Sequence, residues 1–282
     1  MSRDRRRRLV NRAMEVLATV AALVAVGVLA VVVISVARRG AGAVSWGFFT
    51  KAQALFGQPG GGIANALVGT ALLVLLATAM ALPVGVLSAI YLTEFARRSV
   101  AVPIQVVIDV LAGLPTIVIG IFVYALLVVG HTQSGYAGAF ALAVIMLPLI
   151  ARATQEVLLL VPDTLREASL ALGVRRWRTV IGVILPSSVG GILTGTVLAV
   201  ARAAGETAPL LFTSSIFANT VQTDVTKALP NIPVLIFTYS EQPDPALHQQ
   251  AWAAALVLMA FVLLASLAAK ALLARSRRKL AR

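Results

Sequence analysis

The sequence contains no cysteine, so neither a disulfide framework nor a thiolate metal site is available to it. Histidine is nearly absent too: His131 and His248 stand alone, which leaves no histidine cluster for a metal. No Gly-Lys dipeptide occurs anywhere, so the phosphate-cradling Walker loop is missing and the chain cannot bind ATP by that device. Acidic side chains are scarce, 11 Asp and Glu against 24 Lys and Arg, for a formal net charge of +13. Charged residues make up only 12% of the chain and hydrophobic residues 59%, which excludes an ordinary soluble domain and indicates an integral membrane protein. So large a positive excess raises the question of nucleic acid. The basic residues, however, sit at the ends of apolar runs, a pattern of membrane topology. The expected surroundings are therefore membrane lipid, with no nucleic acid, no cofactor and no metal.

Six apolar runs follow one another. Val16 to Ala37 is uncharged and too long for a signal-peptide core of about 7–15 residues, so it reads as a retained first transmembrane helix. It follows an arginine-rich arm, Ser2 to Arg12, and precedes a glycine-rich loop, Arg38 to Gly62, with Trp46, Phe48 and Phe49. Ile63 to Leu92 is the second span, with a kink expected at Pro83. Ile104 to Val129 is the third, containing Asp109 and a Gly-Leu-Pro-Thr break at Gly113 to Thr116. Ala139 to Leu160 is the fourth, closed by Pro162; Pro186 to Ala204 is the fifth; Ala251 to Ala269 is the sixth, with Trp252 as an interfacial anchor. Between the last two lies a long mixed segment, Gly205 to Gln250. The expected fold class is all-α, with six transmembrane helices. Two parts are expected: 1–62, the arm, first helix and loop, and 63–282, a five-helix core.

With the N-terminus inside, 18 Lys and Arg fall on the inner side and four on the outer side. That bias predicts both termini to be cytoplasmic. Arg38 and Arg39, flanking the first helix outside, are the local conflict.

Two features stand out. In the polar island after the fourth span, Thr164-x-x-Glu167 has the spacing of a capping box, and Gly173 stands where a helix end calls for positive φ. A short helix, Leu165 to Leu172, is expected across the cytoplasmic face. Arg175, Arg176 and Arg178 follow it, explained equally by topology or by contact with an acidic partner. The second feature is Arg202-Ala-Ala-Gly205-Glu206-Thr207-Ala208-Pro209, an arginine and a glutamate four residues apart within an apolar segment. A buried charge pair there is expensive and marks a transport path more often than a packing device. Arg202 lies roughly 24 Å along the helix from Pro186, and its planar fork suits bidentate recognition of oxyanions. Glu206 is then its internal counter-ion, with Thr207 adjoining. The competing reading is a structural pair that neutralises itself. Arg152 and Glu156 repeat the spacing on the fourth span and read as a snorkelling or structural pair, and Asp109 reads as reaching the nearby interface. Gly191-x-x-x-Gly195 is a small-residue face for close helix approach.

Glu167-Ala168-Ser169, then Gly173, then Val183, Leu185 and Pro186 at fixed distances resemble the EAA loop of ABC-importer permeases, with Ser169 for the second alanine and Val183 for isoleucine. Together with ARAAGETAPLLFT, and with Ala81 to Gly85, Ala89 to Glu94 and Gly113 to Gly120, the chain from Ile63 onward resembles the PstA family of phosphate-importer permeases. The resemblance implies the six-helix type I importer (MetI-like) fold in the bacterial cytoplasmic membrane. It implies a PstC-like partner permease, a PstB-like ATPase dimer that supplies the ATP hydrolysis, and a PstS-like external phosphate-binding protein. A coupling loop, 161–183, would seat on the ATPase through Glu167, Ala168, Ser169, Gly173, Leu185 and Pro186. Phosphate would pass Arg202, Glu206 and Thr207. The alternatives are a permease for sulfate, molybdate or phosphonate, or a secondary transporter using the Arg–Glu pair as a gate.

Overall fold

The computed structural model describes residues 3–54 and 60–280. Ser2 and Arg282, the limits of the basic arm and tail, and residues 55–59 of the first long loop lie outside the described residues. Every regular element described is helical: α1 (Arg3–Gly40), α2 (Trp46–Thr50), α3 (Ala64–Ile90), α4 (Arg98–Gly113), α5 (Thr116–Leu127), α6 (Gly135–Leu159), α7 (Asp163–Ala171), α8 (Arg176–Thr179), α9 (Leu185–Ala203), α10 (Ala208–Thr213), α11 (Ile232–Ser240) and α12 (Pro245–Leu280). Two π-helical turns, Tyr91–Phe95 and Val180–Ile184, extend α3 and join α8 to α9.

Five of these helical stretches are long and apolar enough to cross a membrane, and the α4–α5 pair makes a sixth if counted as one span. The third span is broken where the Gly-Leu-Pro-Thr stretch lies, and sharply: α4 and α5 meet at 102°. Pro115 is the cause. It pushes Leu114 out of the helical region, to φ −66 and ψ 135, and itself offers no N–H to continue the ladder. By contrast α3, α4 and α6 run through Pro83, Pro103 and Pro148 as continuous helices.

α6 is the central helix. Its inner face, Leu142, Met146 and Ile150, meets Leu73, Ala77 and Ala81 of α3 on one side and Ala199 and Ala203 of α9 on the other. Lipid tails are as apolar as leucine, so close fit and not hydrophobicity must hold these helices together. The small residues do this. A Cβ added at Gly191 would stand 2.6 Å from the Val157 side chain, and one at Gly195 would collide with Ala153. The Gly191/Gly195 face therefore packs directly on α6.

α1 lies apart from this core. Its apolar side chains, Leu17, Leu23 and Val31 among them, are exposed in the isolated chain. It returns to the bundle only at its end, where Gly40 abuts the Trp252 backbone and the Arg39 guanidinium lies 4.8 Å from the Trp252 ring centroid. The Arg39 charge thus rests on an aromatic face, and Trp252 has a partner beyond a membrane interface.

The mixed segment 205–250 is ordered by buried polar contacts. Ser214 Oγ accepts from the Leu229 amide, Asn231 Nδ2 donates to the Ser214 carbonyl, and Asn231 Oδ1 caps α11 by accepting from the Val234 amide. Thr70 Oγ1 accepts from the Ile232 amide and so ties the segment to α3. The sixth span also starts earlier than its apolar run, at Pro245.

Candidate functional site

Two groups of residues occupy opposite ends of α9, separated by about 26 Å of rigid helix.

At one end, α7 follows α6 and reaches the turn that ends α3 through Arg166. The helix begins at Asp163, one residue before the expected cap. Pro162 occupies the N-cap position with no side-chain cap, and Thr164 is already inside the first turn. The capping box therefore does not form. Pro162, fixed at φ −59 with ψ 139, sets the entry by itself. The helix end is as the sequence requires: Gly173 takes φ +75. The Val174 amide donates to the Ser169 carbonyl and the Gly173 amide to the Leu170 carbonyl, the paired bonds of a Schellman motif. Glu167 and Ala168, free of any capping duty, are exposed, as are Leu170 and Leu172. Ser169 instead turns inward and shares a 2.7 Å hydrogen bond with Thr179 Oγ1 of α8. Its hydroxyl, the departure from the EAA pattern, thus ties α7 to α8. Leu185 is half-buried and Pro186 exposed at the start of α9.

The strongest contact at this end involves two residues that sequence reasoning passed over, Glu94 and Arg166. Glu94 is only 3% exposed and receives Arg166 Nη2 at 2.8 Å and Nε at 3.2 Å. The same guanidinium donates to the carbonyls of Leu158 and Val161, at 2.9 and 2.7 Å, and to Asp163. The hydrogen bond to Glu94 is the main reason the Arg166 pKa is raised, against the opposing effect of burial, so it is charged under all working conditions. The π-helical turn was the missing signal. It re-aims Glu94 at a partner 72 positions away.

At the other end, α9 stops at Ala203. Gly205 and Glu206 form a turn, their amides donating to the carbonyls of Arg202 and Ala203. The two charges therefore do not lie on one continuous helix, yet they meet: Arg202 Nε stands 3.5 Å from Glu206 Oε1. Arg202 is not buried within this chain. Its side chain is 56% exposed and that of Glu206 16%. No other side-chain bond holds Arg202 among the described residues, so most of its fork is open. Thr207 is half-buried and precedes α10. α10 is fixed in turn by α5, since Gly120 lets the two backbones approach at Pro209 and Tyr124 meets Phe212 edge-on.

The expected Arg152–Glu156 pair is not formed. Arg152 instead bonds Asp109 of α4 through Nη2 and Oδ1. Asp109 thus has a cross-helix partner, brought alongside when the chain turns back after Arg97. Glu156 is exposed and borders a cavity of about 580 Å³ that Val157, Leu165, Ser188 and Gly191 also line. No cluster of His, Cys, Asp or Glu able to hold a metal occurs among the described residues.

Residues 81–278 match the family model described as binding-protein-dependent transport system inner membrane component. The phosphate transport system permease protein PstA of Yersinia pestis is 41% identical over 87% of this chain and 84% of its own length. The PstA of Xylella fastidiosa is 39% identical over 97% and 96%. Among solved structures, an inward-facing form of the MetNI methionine ABC transporter matches with a TM-score of 0.59 over 76% of this chain and 95% of that one. An amino acid ABC transporter with histidines matches with a TM-score of 0.55. At 19% and 18% identity these two speak for the fold alone. The chain belongs to the family of binding-protein-dependent transport system inner membrane components and, within it, to the PstA permeases.

Proposed function

We propose that this chain is the transmembrane permease subunit of an ATP-driven phosphate importer in the bacterial inner membrane. The carrying observation is similarity over nearly the whole chain to permeases named for phosphate transport. It is a non-enzymatic multi-pass subunit that works with an ATPase and a substrate-binding protein. In the finer reading these are a PstB-like ATPase dimer and a PstS-like phosphate-binding protein, with a PstC-like permease completing the path. The alternatives, another oxyanion or a secondary carrier, leave that similarity unexplained.

The geometry supports a division of labour. α7 presents Glu167, Ala168, Leu170 and Leu172 outward, a mixed acid and apolar face suited to seat on the ATPase. Ser169 and Gly173 hold that face in place, and Leu185 and Pro186 begin the helix that carries its displacement. At the far end of α9, Arg202 keeps an open fork for a phosphate dianion. Glu206 holds it through a single long contact, and its place in a turn beside Gly205 lets it withdraw without breaking a helix. Phosphate would pass this point between the two permeases, with Thr207 beside it. In the same reading residues 1–62 are an appended arm and helix, and 63–282 the transporting core with its coupling loop 161–183.

The test is co-purification of the chain with the ATPase and binding protein, followed by uptake of labelled phosphate by the reconstituted assembly. Uptake that requires all subunits and ATP is expected. Uptake of sulfate or molybdate in its place would overturn the substrate. Orientation is checked separately. A cysteine at Thr132, exposed in the α5–α6 turn, should react with an impermeant thiol reagent added outside intact cells. A cysteine at Ser276 should react only after permeabilisation. The chain lacks native cysteine, so the labelling has no background, and the reverse pattern would invert the topology.

A further inference from the structure

α7 is the element that would meet the ATPase, yet its only extensive helix packing, among the described residues, is with the short α8. The apolar cluster beneath it, Ala89, Leu158, Val161, Val180 and Ile184, joins the ends of α3 and α6 to the turn before α9 and includes no α7 side chain. Among the described residues a push on α7 therefore meets little packed interface with α3 or α6, and beyond the Pro162 connection to α6 its route is polar. Arg166 leaves α7 and contacts Glu94 on the turn that ends α3, and the carbonyls of Leu158 and Val161 at the end of α6. The same turn is gripped again from α8, where the Arg176 guanidinium lies 5.7 Å from the Phe95 ring centroid. A single π-helical turn is uncommon and frequent at functional sites. Here it aims Glu94 inward at Arg166.

We propose that Glu94 and Arg166 are the mechanical joint of this permease, binding the coupling helix to α3 and α6 so that the three elements move as one body. This rests on α7 being the ATPase contact. Arginine suits the place because its fork serves the carboxylate and two backbone carbonyls at once, which a lysine ammonium cannot do in the same geometry. Glu94 and Arg166 are positioning residues: neither touches phosphate or ATP, and their role is to make displacement at one end act at the other.

The experiment compares assembled, reconstituted complexes carrying Glu94→Gln, Arg166→Lys or the wild-type chain. Three quantities are read: complex abundance, basal ATP hydrolysis, and the stimulation of hydrolysis and uptake by phosphate-loaded binding protein. A joint predicts that Glu94→Gln assembles and keeps basal hydrolysis, while uptake per ATP hydrolysed falls roughly tenfold or more, within the 5- to 150-fold of ordinary coupling between sites. Arg166→Lys should show the same defect in milder form. A merely structural pair would lower abundance or thermal stability and leave uptake per ATP unchanged in the complexes that form, and that result would overturn the joint. Failure of the underlying reading looks different: the wild-type complex itself would show no stimulation by phosphate-loaded binding protein. Should Glu94→Gln fail to assemble, Arg166→Lys decides by the same ratio, since it keeps the positive charge opposite Glu94.

Discussion

Arg202→Ala is expected to abolish phosphate uptake while leaving the permease folded and assembled. The two halves of that statement rest on different physics. Arg202 and Glu206 make one 3.5 Å contact with the arginine more than half exposed, and an exposed pair of this kind contributes about 0–1 kcal/mol to stability. The fold should hardly notice its loss. Removing one side of a charge-assisted contact to a bound dianion costs about 2–5 kcal/mol. Expressed in a transport step, that is roughly a 30- to 5,000-fold loss of rate. Arg202→Lys keeps the charge and loses the planar fork, so it should be markedly impaired but not dead. Glu206→Gln removes the counter-ion and is expected to slow release by leaving phosphate held too tightly. The decisive variant exchanges the charges, Arg202→Glu with Glu206→Arg. A self-neutralising structural pair would be restored by the exchange, together with uptake. A phosphate ligand moved from the end of α9 into the following turn should not serve, so near-normal uptake per assembled complex would remove Arg202 from the translocation path.

Gly173→Val should uncouple the permease from its ATPase without preventing insertion. Gly173 has φ +75, a region that costs an ordinary residue about 1–2 kcal/mol and is worst for a β-branched one. The strain is purely conformational, because a Cβ at this position would have nothing within 4 Å. The valine chain can relieve it only by giving up the Schellman bonds to Ser169 and Leu170, which unwinds the end of α7 and moves the exposed face. Phosphate-dependent stimulation of ATP hydrolysis should then fall sharply, with expression and membrane insertion near normal. Gly173→Asn is the control, since asparagine tolerates this backbone conformation, and it should retain most of the stimulation. Normal stimulation in the valine variant would mean that the geometry of α7 is irrelevant to coupling.

The spans, the polar island and the Arg202–Glu206 motif were legible along the chain because each is set by near neighbours. An apolar run of about 20 residues must be helical in lipid, since only intrahelical bonds satisfy its backbone there. The Gly-Leu-Pro-Thr stretch at Gly113 to Thr116 marks a break, and Gly173 offers the positive φ that a helix end calls for. Sequence spacing misled at one charge pair: Arg152 and Glu156, four apart, do not meet. Arg152 instead found Asp109, because α4 packs against α6. Arg166 found Glu94, because a π-helical turn rotates that carboxylate off the helical register. Thr164 lost its capping role to Pro162, two residues earlier. The sequence by itself determined that this is a helical membrane permease with a polar island after its fourth span and an arginine near the end of its fifth. Only the tertiary structure decided which charges meet, because the choice of partner depends on where helices distant in sequence cross, and composition and spacing carry no record of that crossing.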